Sequence, residues 1–211
     1  MNKKCIFCEE GSNFSFSKTF LNHRWPYPDR VVFSDESVFA VVGSGPQVVP
    51  YILIIPYRHI YSMAEMNESE RTGFLKCLDF LNGKGCFSQY IDIFEHGGES
   101  MNSSASIDHC HIHVIDGKWK LFENVKWEHF NYIGNFEQIT WEHMNNYLLV
   151  GKYIPGTLHI KITKDDINEH QYFRKRLAEI IGDKHWNWKD NINYEKMLET
   201  MRLFRSVERS I

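Results

Sequence analysis

The chain has 211 residues, 43% hydrophobic and 24% charged, which suits one soluble domain with a real core, or such a domain plus an extension. Its formal net charge of -3 argues against a chain built to bind extended nucleic acid. The longest apolar stretch, VVPYILIIPY, is strand-sized and carries prolines, so no membrane partner is expected.

The opening MNKKCIFCEEGSNF has no apolar run after its lysines, and so no signal peptide is read there. Five cysteines are an odd number without the spacing of a secreted disulfide framework, which makes a reducing cytoplasm the expected location. Residues 30–43 (RVVFSDESVFAVVG) read as two short strands broken by SDES, and GSGPQ at 43–47 as a loop. YILIIP at 51–56 is a continuous apolar run fit for a strand buried on both faces. A helix should follow. Ser62 with Glu65 has capping-box spacing, Asn67 with Glu70 is a weaker variant, and Phe74, Cys77, Leu78 and Leu81 form one stripe. NGKG at 82–85 ends that helix, and YIDIFEHG at 90–97 reads as another strand. A small-residue loop, GGESMNSSAS, then leads to the histidines.

After residue 116 the pattern weakens, and 117–146 shows little periodicity. YLLVGKYIPGTLHIKIT at 147–163 reads as a hairpin turning near IPG. Two helices follow, one lined by Phe173, Leu177, Ile180 and Ile181 with Gly182 as its stop, the other by Met197, Leu198, Met201 and Phe204. The division expected is an α+β unit over 1–118 and an extension over 119–211 packed on it. Neither extension helix would stay folded alone, so their stripes must bury against the core or against a second copy, the latter making a homodimer.

Residues 109–115 read HCHIHVI. A strand has period two, so His109, His111 and His113 share one face while Cys110, Ile112 and Val114 share the other. Adjacent histidines on that face are about 6–7 Å apart at Cα. The apolar side should be the core side, leaving the histidines facing something polar. Three chemistries fit such a row: an exposed strand with histidines by chance, a metal site, or nucleophilic and acid–base catalysis by imidazoles that stay partly neutral near neutral pH.

The ordered set FAVVGSGPQVVPYILIIPYRHI (39–60), FEHGG (94–98) and SASIDHCHIHVI (104–115), with CIFC at 5–8, closely resembles the histidine-triad (HIT) superfamily of nucleotide hydrolases and transferases over roughly residues 5–116. The resemblance implies a HIT-like α+β fold, a mostly antiparallel sheet with flanking helices, here with a C-terminal hairpin and two-helix extension. It implies that His111, the middle histidine, attacks the α-phosphorus of a nucleotide conjugate to give a nucleotidyl-histidine. His113 would assist at the phosphate oxygens, and Ser106 would touch the phosphate or leaving group, although turn chemistry alone would also account for a serine there. Cys5 and Cys8 have half the spacing of a tetrahedral zinc site. In cysteine-bearing members the set is completed by the histidine of the P-x-x-H-I segment and the first triad histidine, here His59 and His109, around a structural zinc. The zinc site is favoured over the alternative of two reduced thiols in a short turn.

Two positions depart from the family pattern. The acidic residue that normally holds the ribose, three before the loop proline, is replaced by Gly43, three before Pro46. Where Asn is common in the turn before the triad stands Glu95, which would sit near a phosphate only by touching a ribose, an amine or a cation. In the extension, Gln171 and Arg174 lie one turn apart and resemble a Gln-x-x-Arg element of long HIT-like proteins. Arg174 would supply a bidentate phosphate contact, against the alternative of a solvated basic face beside Lys175 and Arg176. The reading favoured is a nucleotide hydrolase acting through His111. A nucleotidyltransferase or phosphorylase on a dinucleoside polyphosphate or nucleotide-sugar, a silent nucleotide-binding adaptor, and a metalloenzyme with the triad as ligands stand as alternatives.

Overall fold

The computed structural model describes residues 5–17, 21, 25–98, 107–128, 130–141, 144, 146–164 and 171–206. Eight antiparallel strands form one sheet: β1 (Val31–Ser34), β2 (Val38–Val42), β3 (Tyr51–Pro56), β4 (Ile91–Gly97), β5 (Ile112–Asp116), β6 (Tyr132–Asn135), β7 (Tyr147–Ile154) and β8 (Thr157–Lys164). Their spatial order is β1-β2-β3-β5-β4-β7-β8-β6. The α-helices delimited among the described residues are α1 (Ile6–Ser12), α2 (Glu68–Gly83), α3 (Leu121–Asn124), α4 (Tyr172–Ile181) and α5 (Tyr194–Ser206). This is the α+β, HIT-like fold expected.

The strands read from apolar runs are central ones. Every residue of β2 and β3 is buried, as befits strands with side chains packed on both faces. Period-two alternation sends those side chains into two separate cores. On one side Ile52, Ile54, Ile112 and Val114 meet Phe74 and Leu78 of α2 and Met197 and Met201 of α5. On the other, Leu53, Ile55, Phe94 and Val150 meet Phe7 of α1 and Phe173 and Leu177 of α4. The stripes expected on the last two helices are therefore buried on opposite faces of the sheet. Each large side chain so buried contributes about 1.5–3 kcal/mol.

The cap of α2 corrects the first expectation. Ser62 makes no capping bond and opens only a single 3-10 turn, Met63–Glu65. Asn67 is the N-cap, and its side chain and that of Glu70 exchange hydrogen bonds with each other's backbone N–H. Glu70 is the better-held partner because Arg58 also clamps its carboxylate, at 2.7 and 2.9 Å.

The hairpin at 147–163 forms as β7 and β8, turning at Gly156, whose φ of +81° favours glycine. It joins the sheet of the histidine strand: β7 pairs with β4 from Ile91 opposite Tyr153 to Gly97 opposite Tyr147. Strand β6, absent from the sequence reading, pairs with β8. Among the described residues no helix is long and apolar enough to cross a membrane.

Candidate active site and metal cluster

The histidine row begins before its strand. β5 starts at Ile112, and His109 lies in the bend that precedes it. Alternation still holds, because Cys110 N–H donates to the Ile60 carbonyl at 2.6 Å and keeps the chain extended. Cys110, Ile112 and Val114 are all in the α2-side core. The other face is not polar, contrary to expectation. His111 and His113 open on a pocket whose walls include Phe7, Leu53, Phe94, Tyr172, Phe173 and Trp188, with His96, Arg30, Ser44, Gln171 and Arg174 as its other polar members. α1 and α4 cover this face and bring their own apolar stripes to it.

Each imidazole has a different fixed partner. His111 Nδ1 lies 2.7 Å from the His109 carbonyl. A carbonyl only accepts, so Nδ1 carries the proton and Nε2 keeps its lone pair. Burial holds the His111 pKa below its usual value, opposed by that bond to the backbone, and the ring is neutral near neutral pH. His113 Nδ1 lies 2.8 Å from the Tyr51 hydroxyl, and its ring stacks on Phe94 with centroids 4.4 Å apart and planes 7° from parallel. Burial first, then His111 and Arg174, hold its pKa well below the ordinary imidazole range. The two rings are 5.0 Å apart, centroid to centroid, close enough to act on one group.

His109 faces elsewhere. Its Nε2–H donates to the Pro56 carbonyl at 2.9 Å, so Nδ1 is the lone-pair nitrogen. That Nδ1 is 3.3 Å from Cys5 Sγ and 3.6 Å from Cys8 Sγ, while His59 Nδ1 is 3.2 Å from Cys8 Sγ. The four potential donor atoms of Cys5, Cys8, His59 and His109 all lie within 4.8 Å of one another. Ligand atoms of a tetrahedral zinc site stand about 3.3–3.8 Å apart, from bonds of about 2.0–2.3 Å. The donor set and its spacing therefore fit a structural metal, and the Pro56 carbonyl is the outer partner that orients a ligating histidine. Burial together with Cys5 pushes the Cys8 thiol up to about 11, so a bound cation would have to displace that proton.

The remaining expected residues separate. Glu95 is not in the pocket. It is 1% exposed on the opposite face of β4, because its neighbours Phe94 and His96 take the pocket side. There its carboxylate accepts from Met63 N–H (2.8 Å), Cys110 Sγ–H (3.2 Å) and Tyr147 O–H (2.6 Å), which makes it a core tether. Ser106 lies outside the described residues. Gln171 lines the pocket from the left-handed position before α4 (φ +56°) and donates to Asn187. Arg174 also lines the pocket, but it is 5% exposed and each of its nitrogens donates to protein: Nε to the Trp186 carbonyl, Nη1 to the Tyr51 hydroxyl, Nη2 to the Gly45 carbonyl.

Among the residues that the sequence does not single out, His96, Arg30 and Tyr51 matter most to the pocket. His96 was legible, since it follows Phe94 by two and Phe94 stands opposite His113 in the sheet. Arg30 lines the pocket while its guanidinium is clamped by Glu10 at 2.6 and 2.7 Å. Tyr51 explains the departure at Gly43. A Cβ at residue 43 would sit 2.6 and 2.9 Å from atoms of the Tyr51 ring, so the carboxylate usual there has no room.

The HIT domain family model matches residues 26–119. An uncharacterized HIT-like protein of Methanocaldococcus jannaschii is 27% identical over 131 residues, covering 58% of this chain and 89% of the relative. A HIT family hydrolase from Legionella pneumophila is 23% identical, covering 54% of this chain and 93% of its own, with a TM-score of 0.39. A hypothetical histidine triad nucleotide-binding protein from Sulfolobus tokodaii is 17% identical, covering 94% of this chain and 95% of its own, with a TM-score of 0.38. Residues 26–119 thus match the HIT domain model, and the chain extends beyond that match at its C-terminal end.

Proposed function

We propose that the chain is a nucleotide hydrolase in which His111 Nε2 attacks the α-phosphorus of a nucleotide conjugate. The N–P bond forms as the bond to the leaving group breaks, and the leaving group departs with the electron pair and takes up a proton. Water then attacks the same phosphorus, the N–P bond breaks, and the electron pair returns to Nε2. The observation that carries this reading is the 2.7 Å bond from His111 Nδ1–H to the His109 carbonyl, which leaves Nε2 a lone pair on a neutral, pocket-lining ring. His113 stands beside it to donate to a phosphoryl oxygen, where charge gathers as the bond forms. The aromatic walls suit the flat base of a nucleotide.

Cys5, Cys8, His59 and His109 would hold a zinc ion. With all four positions filled by protein it would serve structure, tying α1 to the segment that carries His111. Free thiols and the absence of a membrane-crossing helix among the described residues suit a reducing cytoplasm. The 119–211 region belongs to the functional unit in this reading, because Tyr172, Phe173, Arg174 and Trp188 form one wall of the pocket. That wall also supports a second reading, transfer of the nucleotidyl group to an acceptor other than water.

The test is a screen of nucleotide conjugates with mass spectrometry of an acid-labile adduct on His111. His111→Asn should abolish the adduct and lower turnover at least about a thousandfold. Substantial turnover by this variant on a proven substrate ends the proposal. Isotopically labelled water separates the two readings, since only hydrolysis places the label in the released nucleotide.

A further inference from the structure

Tyr51 and Arg174 come from distant parts of the chain. Tyr51 is the first residue of β3, and Arg174 lies in α4, beyond the segment matched by the family model. Arg174 is held on both sides, by the Trp186 and Gly45 carbonyls that its Nε and Nη2 reach, and its own carbonyl accepts from Gln47 Nε2 at 2.9 Å. It is thus fixed where Nη1 meets the Tyr51 hydroxyl at 3.0 Å. A guanidinium only donates, so the Tyr51 oxygen accepts from it. The phenolic proton of this fully buried side chain then has one acceptor among the described residues, His113 Nδ1 at 2.8 Å. His113 must therefore carry its own proton on Nε2, the nitrogen not engaged by Tyr51.

We propose that Arg174 and Tyr51 form a positioning relay that fixes His113 as the Nε2–H tautomer, and so makes the C-terminal region part of the machinery. The relay rests on the reading of His113 as a donor to the phosphoryl group. Without Tyr51 the two neutral tautomers of an imidazole are close in energy, and a fraction of the molecules would turn a lone pair toward the phosphoryl oxygens. The nearby positive charge of Arg174 has a second effect: it opposes protonation of His113 and polarises the phenol toward donation. Arg174 is therefore a positioning residue here, acting through Tyr51, where the sequence suggested a direct phosphate contact.

The test uses the full chain, without substrate, and reads the ring nitrogens of His113 by nitrogen-15 NMR. In the wild type, Nδ1 should have the shift of an unprotonated nitrogen and Nε2 that of a protonated one. Tyr51→Phe keeps the ring over Gly43 and removes only the hydroxyl. It should give the averaged shifts of mixed tautomers. Arg174→Met should move the shifts in the same direction, and Arg174→Lys, which keeps a cationic donor, should restore them in part. On a proven substrate, Tyr51→Phe should lower kcat about tenfold or more while KM changes little. A protonated Nδ1 on His113 in the wild type overturns the relay even if neither variant folds. So does an unchanged tautomer in a folded Tyr51→Phe protein, whatever its melting temperature. Because the tautomer is read without turnover, failure of the relay stays distinct from failure of the His111 nucleophile, which His111→Asn reports.

Discussion

Replacing Gly43 by alanine should be far more damaging than a change of one methyl group in a loop suggests. The added Cβ would lie 2.6 Å from Tyr51 Cδ1, 2.9 Å from Tyr51 Cε1 and 3.4 Å from Leu53 Cγ. The first two are closer than packed carbons approach, so the tyrosine ring must move. It is fully buried, and its hydroxyl is pinned between His113 and Arg174. Overpacking a core costs about 1–3 kcal/mol, and breaking one of those bonds leaves a buried group unpaired for about 1–3 kcal/mol more. The expected loss is about 2–6 kcal/mol, read by urea unfolding with the slope of the transition unchanged. A double-mutant cycle isolates the cause: in a Tyr51→Leu background the same Gly43→Ala change should cost under about 1 kcal/mol, because the ring is gone. Gly43→Ala within about 0.5 kcal/mol of the wild type, with full activity, would refute the account of both Gly43 and Tyr51. An acidic residue at 43 meets the same obstacle, and so Gly43→Asp should not restore the ribose contact common in the family.

The other expectations test the metal and the buried charges. Wild-type protein purified without chelator should carry one zinc per chain by elemental analysis, and Cys5→Ser should lose it, with a lower melting temperature and lower turnover; wild-type protein without zinc ends that proposal. Asp92 is raised from its ordinary 3.8 to about 7, chiefly by burial, with Glu123 adding to the rise and the Leu121 and Phe122 N–H groups and Lys152 opposing it. A carboxyl raised on folding favours the folded state in acid, and that contribution is lost as pH climbs from about 4 through about 7. The shift corresponds to about 4 kcal/mol. Asp92→Asn should therefore gain in melting temperature relative to the wild type between about pH 5 and about pH 8, and a pH-independent difference would contradict the burial argument.

How far the sequence foretold the structure depends on the range of the forces involved. The run 51–56, the Phe74-to-Leu81 stripe and the 147–163 hairpin are local patterns, and all three formed as read. Strand β6 is Tyr-Ile-Gly-Asn, with no apolar alternation, and it exists because β8 offers it an edge; nothing local announces it. The choice of Asn67 over Ser62 as the helix cap depends on Glu70 being held by Arg58, a contact between segments. The candidate metal-ligand set is legible through family resemblance more than through spacing, since residues 5, 8, 59 and 109 meet only after the sheet has formed. Glu95 was misplaced for lack of one deduction. With Phe94 on the pocket face, residue 95 had to face away and His96 had to face in.

A row of histidines differs from one histidine because neighbouring backbone gives each a separate acceptor or donor. The Pro56 carbonyl takes the Nε2 proton of His109 and turns Nδ1 toward the two thiols. The carbonyl of His109 in turn takes the Nδ1 proton of His111. Tyr51 reverses the order again at His113, where its O–H donates a hydrogen bond to a bare Nδ1. Adjacent members of the row are thus neutral rings with opposite nitrogens protonated, which side-chain type alone could not arrange. His109 is shared between two of these contacts: its ring stands among Cys5, Cys8 and His59, and its carbonyl orients His111, the proposed nucleophile. A shift of that ring on metal loss would move the carbonyl two bonds of backbone away from it. This is why removal of the proposed zinc is expected to lower turnover as well as stability.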